Sequence, residues 1–170
     1  MKKIIINAFG LDRPGIVSEV TKIINFYKGN IETSKMLQLE SDFSLLILVT
    51  IEEKNIENLF ENLRKIKDLK VTGKTTRKKT NNKNFTFYDF SIKVADNEGI
   101  VFIFSKLFKK YGINIINMET YLKNAPITGS PIFLLNATLM IPKTISIKKF
   151  NLELEETAEV ESIEFNLKNN

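Results

Sequence analysis

At residues 10–17 the chain reads Gly10-Leu11-Asp12-Arg13-Pro14-Gly15-Ile16-Val17, between an apolar run of three isoleucines and a segment with helical periodicity. Glycines near both ends of this stretch permit backbone angles that other residues resist. Asp12 is a candidate N-cap, and Pro14 suits the first turn of a helix. The N–H groups and partial positive charge of a helix N-terminus favour bound anions. The stretch therefore predicts a strand-to-helix turn that could hold a small anion.

Working outward from this turn, the sequence predicts one small unit of four strands and two helices. β-branched content and alternation predict strands at Lys3–Phe9, Asn30–Leu39, Phe43–Ile51 and Leu69–Thr76. Helical spacing of apolar residues predicts helices at Gly15–Lys28 and Ile56–Ile66. The order is βαββαβ, the ferredoxin-like arrangement of an α+β fold.

A second copy of the pattern follows at a constant shift of 84 positions. The shift pairs Asp12 with Asp96 and Gly15 with Gly99, among many matching residues. An offset held over so many residue types indicates an internal repeat. The second copy predicts strands at Phe85–Ala95, Ile113–Lys123, Ile132–Ile141 and Val160–Leu167, and helices at Gly99–Tyr111 and Ile145–Thr157.

We therefore predict two ferredoxin-like βαββαβ units in tandem, at residues 1–76 and 85–170, joined by a basic linker at 77–84. The offset grows to about 91 further along, where it pairs Leu69 with Val160. The extra residues fall mainly in a hairpin at 123–131, and such enlarged loops often carry contacts. Small units of this type leave one sheet face open. We expect the two units to pack together, with a homodimer of the chain as a further way to cover that surface.

Composition argues against several classes of function. The sequence contains no cysteine and no histidine, so thiol chemistry, the commonest general base and the commonest metal ligand are all missing. We predict no catalytic residue, no metal and no cofactor. The net charge of +5 is concentrated at residues 74–83, which does not indicate a basic nucleic-acid-binding face. Apolar runs are too short for a membrane span or a signal peptide, so we predict a cytoplasmic protein.

The turn at residues 10–17 resembles the opening turn of ACT domains, which are small-molecule-sensing modules attached to amino-acid enzymes. The tandem pair, with Ala95-Asp96 and Gly99-Ile100-Val101 in its second unit, resembles the glycine cleavage system transcriptional repressor family. The hairpin at 125–133 resembles a loop of that family. The second turn departs from the pattern, because Asn97-Glu98 stand where the first turn has Arg-Pro.

This resemblance implies a non-enzymatic regulator that binds a small amino acid, glycine being the family expectation, between units. It further implies action through a partner transcription factor, without direct DNA binding. The implied ligand-binding residues are Leu11, Asp12, Arg13, Pro14, Gly15, Ile16 and Asn30 in the first unit, and Asp96, Asn97, Gly99 and Asn114 in the second. Pro126, Thr128 and Gly129 are candidates for ligand or partner contacts.

Each of these residues also has a structural interpretation. Asp12 either meets a ligand ammonium or caps the helix. Arg13 either binds a carboxylate through two hydrogen bonds or is a solvated turn residue. Asn30 and Asn114 either orient a ligand or serve turn chemistry. Because only the first turn keeps Arg-Pro, we expect ligand recognition to be asymmetric and centred on that turn.

Two other functions are compatible with this element order. RNA-recognition motifs share it and stack bases on sheet aromatics, and the strand at Phe85–Phe90 is rich in aromatic residues. The third strand of each unit lacks the Lys/Arg-Gly-Phe signature of those motifs, so RNA binding ranks below ligand sensing. A ligand-free structural adaptor is the remaining alternative.

Overall fold

The computed structural model describes residues 1–77, 84–95, 98–126, 129–160 and 162–170. The chain divides into two compact units, Met1–Thr80 and Asn81–Asn170. Each unit has a four-stranded antiparallel sheet and two α-helices in βαββαβ order, so the predicted α+β fold of two ferredoxin-like units is confirmed. Most of the linker predicted at 77–84, residues 78–83, lies outside the described residues.

Unit 1 places its first and third strands at the centre of the sheet. Its elements are β1 (Lys2–Leu11), α1 (Ile16–Phe26), β2 (Asn30–Leu39), β3 (Asp42–Ile51), a 3-10 turn (Glu53–Asn55), α2 (Ile56–Leu63) and β4 (Leu69–Thr76). The strand order is β2-β3-β1-β4. Because β1 is central and leads directly into α1, the turn at 10–15 extends from the most fully paired part of the unit.

One face of this sheet carries the core of unit 1. Alternation along β1 and β3 directs every second side chain toward the helices. The strand residues buried there include Ile4, Ile6, Leu45, Ile47 and Val49, and the helices add Ile16, Val20, Ile24, Leu59 and Leu63. The helical residues recur every three or four positions, as expected for one apolar stripe.

Unit 2 repeats the architecture with sheet order β6-β7-β5-β8. Its elements are β5 (Phe85–Ala95), α3 (Ile100–Lys110), β6 (Asn114–Asn124), β7 (Pro131–Pro142), α4 (Ile147–Val160) and β8 (Glu164–Asn169). The core is more aromatic than that of unit 1, since Phe90, Phe104, Phe108 and Phe150 are all buried. Phe90 packs edge-to-face on Phe108, with ring centroids 5.1 Å apart.

At the end of unit 2, the structure places the boundary between the last helix and the last strand later than the sequence predicts. Alternation predicts a strand from Val160, but Val160 is the last residue of α4 and is 83% exposed. Ser162 then takes a positive φ of 54°, and the Ile163 N–H donates to the Ala158 carbonyl at 2.8 Å. The pairing of Leu69 with Val160 is therefore wrong. Sheet register instead matches Gly73 with Leu167, an offset of 94, because α4 extends further than α2.

Gly10 is fixed by a close backbone approach rather than by an unusual φ. It lies opposite Leu69 in the β1–β4 pairing, and a Cβ atom at Gly10 would lie 1.9 Å from the Asp68 carbonyl oxygen. Gly15 is different, because its φ is +91° and nothing lies within 4 Å of a Cβ there. The two glycines of the turn thus meet separate requirements.

Gly10→Ala is expected to lower the free energy of unfolding of unit 1 by about 1–3 kcal/mol, because backbone cannot move aside as a side chain can. Gly15→Asn is the matched control and should cost less than about 1 kcal/mol, since asparagine tolerates left-handed backbone. Urea unfolding followed by circular dichroism measures both. Equal stability of Gly10→Ala and the unmodified protein would contradict the assigned packing.

Candidate functional site

The turn between β1 and α1 enters the helix through a left-handed glycine. Gly15 is the N-cap of α1, with φ 91° and ψ −9°, and no side chain caps the helix. The prediction that Asp12 is the N-cap is therefore wrong, and Pro14 precedes the helix instead of lying in its first turn. The reason is the left-handed Gly15, which delays the helix until Ile16.

Asp12 is held by its backbone and not by its carboxylate. Its N–H donates to the Ser41 carbonyl at 2.9 Å, which ties the turn to the loop between β2 and β3. The exposed carboxylate makes no hydrogen bond or ion pair with any residue in the described part of the chain. The structural interpretation of Asp12 thus loses its support, while its side chain stays accessible.

The second turn has the same backbone entry. Gly99 is the N-cap of α3 with φ 83°, and the Ile103 N–H donates to its carbonyl at 3.0 Å, as Glu19 does to Gly15 at 2.9 Å. The candidate residues Asp96 and Asn97 lie outside the described residues. The repeat of the first turn therefore extends to the geometry of the helix start.

Arg13 is already engaged within unit 1. Its guanidinium donates to both carboxylate oxygens of Glu19, at 2.6 and 2.7 Å. This paired hydrogen bond raises the pKa of Arg13 and lowers the pKa of Glu19. Glu19 corresponds to Ile103 in unit 2, so the second turn cannot form the equivalent ion pair. A ligand carboxylate could use the Arg13 fork only by displacing Glu19.

Asn30 and Asn114 lie far from the turns of their own units. Asn30 is opposite Thr50, which is opposite Lys3, whereas the turn starts beyond Gly10. Seven strand residues separate the two positions by roughly 23 Å. Asn114 lies opposite Met140, which lies opposite Phe87, again at the other end of its sheet from the turn. One small ligand could touch an asparagine and a turn only by taking them from separate copies of the fold.

The hairpin between β6 and β7 lies at the same end of its sheet as the second turn. Lys123 pairs with Ile132, which pairs with Ala95. The Gly129 N–H donates to the Ala125 carbonyl at 2.9 Å, and Gly129 has φ 69°. Pro126 and Gly129 are exposed, and Thr128 lies outside the described residues. The described residues of the hairpin are therefore placed where they can contribute to that end of unit 2.

A groove of about 660 Å³ lies between α1 and the C-terminal part of α2 in unit 1, and Arg13 forms part of its wall. We call it the α1–α2 groove. Its charged residues are Arg13, Glu19, Lys22, Lys65 and Lys67, and the remaining lining is Ile23, Phe26, Tyr27, Asn62 and Ile66. Sequence reasoning identified Arg13 but missed Glu19 and the three lysines. The sequence feature that could have indicated these lysines is the presence of basic residues on both sides of the apolar stripes predicted for the two helices.

The described residues contain no group of three or more acidic side chains able to hold a metal ion. In the same part of the chain, no helix has the length and apolar character needed to cross a membrane.

Residues 2–74 match the family model described as ACT domain. The match covers unit 1, and unit 2 repeats the fold of unit 1, so the chain is a tandem of two ferredoxin-like units whose first unit matches the ACT domain family. Over 119 residues the chain is 28% identical to the glycine cleavage system transcriptional repressor of Escherichia coli, covering 68% of this chain and 62% of that protein. Over 53 residues it is 36% identical to the UPF0237 protein MMP0657 of Methanococcus maripaludis, covering 31% and 59%. The chain thus spans about three fifths of the length of these relatives.

Two solved structures share the fold across the whole chain. An unknown protein from Galdieria sulphuraria matches with a TM-score of 0.88 and 22% identity, over 99% of this chain and 98% of that one. A protein assigned provisionally as a glycine cleavage system transcriptional repressor matches with a TM-score of 0.71 and 20% identity, over the same shares. The resemblance to that repressor family, first indicated by the turns, is confirmed.

Because Glu19 pairs with Arg13, the pKa of Glu19 reports on the structure of the first turn. Because its pKa is lowered by Arg13, the pair is complete at neutral pH and opens only as pH falls through that lowered value. Arg13→Gln should raise the pKa of Glu19. Carbon-detected NMR titration of the side-chain carboxyl measures this. Glu52, whose pKa is lowered by Lys54, is the control and should titrate identically in both proteins. An unchanged Glu19 titration would contradict the pairing.

Proposed function

We propose that this chain is a non-enzymatic regulatory protein that binds a small amino acid and modulates a partner protein such as a transcription factor. The observation that carries the proposal is the sequence relationship to the glycine cleavage system transcriptional repressor, combined with an ACT domain at residues 2–74. Glycine is the first candidate ligand because of that relative's name. DNA contact would then be made by the partner.

The first turn offers complementary groups for a zwitterion. The Asp12 carboxylate is exposed and without a partner among the described residues, so it suits a ligand ammonium. The Arg13 fork suits a carboxylate once Glu19 is displaced. The N-terminus of α1 has no side-chain cap and contributes partial positive charge. Leu11, Pro14, Gly15 and Ile16 complete the proposed binding segment.

Recognition in this proposal is asymmetric. Gly99 preserves the helix entry in unit 2, but the sequence there has no arginine at the position of Arg13. A carboxylate bound at the second turn would therefore lack the paired hydrogen bonds. Asn30 and Asn114 belong to the ligand site only if the site combines separate copies of the fold, for which a homodimer is one arrangement.

Regulation requires that the amino acid bind one state of the protein more tightly than another. When a ligand carboxylate replaces Glu19 on Arg13, the charged Glu19 side chain of α1 is released. The bound and free states of the protein then differ in the contacts of Arg13 and Glu19. A partner that contacts this face would then meet a different charge pattern in the bound state. A ligand-free adaptor, by contrast, would show no response to any amino acid.

A thermal-shift screen of the twenty amino acids tests the sensor. A ligand at 100 times its dissociation constant should add about 2.7 kcal/mol to stability, a shift of several degrees. The combined change Asp12→Ala and Arg13→Ala should abolish the shift. Asp89→Ala with Lys93→Ala in unit 2 is the charge-matched control and should preserve it. No shift with any amino acid would favour the adaptor, and a shift that survives the turn variant would place the site elsewhere.

Glu19→Gln should strengthen amino-acid binding, because the ligand carboxylate no longer competes with a charged partner for Arg13. Exposed ion pairs contribute little to stability, so the expected gain in affinity is no more than about fivefold. Isothermal titration calorimetry measures the change, with Glu57→Gln on α2 as control. Weaker or unchanged binding would show that Arg13 does not hold the carboxylate.

A further inference from the structure

The α1–α2 groove carries an excess of positive charge. Arg13 and Glu19 neutralise one another across their two hydrogen bonds. Lys22, Lys65 and Lys67 form no ion pair with any residue that the structure describes. Glu19 is the one acidic residue among the lining residues. Three unpaired ammonium groups around one groove attract a multiply charged anion.

The same groove has an aromatic and aliphatic surface. Phe26 is 77% exposed, which is unusual for a large apolar residue, and its ring packs edge-to-face with that of Tyr27, with centroids 5.1 Å apart. Ile23 and Ile66 line the groove beside these rings. An exposed ring in a basic groove is suited to stacking against a flat part of a ligand.

Unit 2 shows that this chemistry is not a requirement of the fold. The repeat offset of 84 places Lys110 at the position of Phe26. Glu153 stands at the position of Asn62, since each contacts the equivalent tyrosine hydroxyl of its own unit. There the Lys110 ammonium and the Tyr111 hydroxyl both bond to Glu153 and lower its pKa. The equivalent surface of unit 2 is therefore bridged by its own side chains and contains a carboxylate where unit 1 has an amide.

The groove is also larger than a small amino acid needs. Its volume of about 660 Å³ falls within the range of about 300–1,000 Å³ typical of pockets for larger small molecules. Phosphate groups pair well with lysine ammonium groups as point charges. A ligand that combines several phosphate charges with a flat ring would use both the lysines and Phe26.

We propose that the α1–α2 groove of unit 1 is a binding site for a nucleoside polyphosphate. The phosphates contact Lys22, Lys65 and Lys67, and the base stacks on Phe26. This site goes beyond the proposed amino-acid sensing and does not require it, although Arg13 borders both. A second, anionic ligand would give the protein an input separate from the amino acid.

Calorimetric titration of the full chain with ATP and GTP tests this site, with adenosine and inorganic tripolyphosphate as half-ligands. ATP or GTP should bind at least about tenfold more tightly than either half-ligand, because each half-ligand makes one set of contacts. Lys65→Glu, which reverses one of the three charges, should weaken nucleotide binding at least about tenfold. Phe26→Ala should weaken it about fivefold or more. Lys70→Ala with Lys74→Ala, on β4 of the same unit, is the control and should have no effect.

Absence of nucleotide binding at millimolar concentration would overturn the proposal, as would nucleotide binding that Lys65→Glu leaves unchanged. Tripolyphosphate binding as tightly as ATP, with no effect of Phe26→Ala, would overturn the stacking role of the ring. Asp12→Ala should not change nucleotide affinity, and Lys65→Glu should not change the thermal shift given by an amino acid. The two sites can therefore fail independently.

Discussion

The fold of each unit depends on two central antiparallel strands whose alternate side chains are buried under a pair of helices. In unit 1, Ile4, Ile6 and Ala8 of β1 lie beside Leu45, Ile47 and Val49 of β3, all almost fully buried. The edge strand β2 contributes no buried residue at all. The sheet therefore stays in register because a one-residue slip would carry the whole central apolar set to the open face. The turn before α1 and the groove are both attached to this layer.

The two units show how much chemistry can change on one backbone frame. Unit 2 fills its core with phenylalanines where unit 1 uses aliphatic residues, yet the strand orders and the left-handed helix entries coincide. Cores tolerate such exchanges when total volume and pattern are preserved. The surface between the helices diverged further still, because no packing requirement preserves it. This surface therefore has unpaired lysines in unit 1 and an internal ion pair, Lys110 with Glu153, in unit 2.

Most of the backbone could be predicted from local pattern. The strands β2, β4 and β5 begin and end where alternation places them. The predictions were wrong where one local sequence feature is compatible with two different structures. Asp12 has the side chain of an N-cap, but the left-handed Gly15 moves the helix start beyond its reach. Val160 is apolar and precedes an alternating run, but Ser162 ends the helix after it and not before.

The groove could not have been predicted from pattern alone. Its lining comes from two segments, around residues 13–27 and 62–67, that meet only after the helices dock on the sheet. The pairing of Arg13 with Glu19 spans six residues, which is not a standard helical contact and depends on the turn before α1. Sequence can supply the residue types for such a site. Which of these residues lie next to one another is known only once the helices have packed.

The tyrosine shared by both units ends up with opposite hydrogen-bond polarity. The Asn62 amide nitrogen donates both to the Asn58 carbonyl at 2.9 Å and to the Tyr27 hydroxyl at 2.7 Å. Since a carbonyl can only accept, the amide orientation is fixed, and the Tyr27 oxygen acts as acceptor. Tyr111 instead donates its proton to Glu153. The same tyrosine therefore accepts a side-chain hydrogen bond in the first unit and donates one in the second.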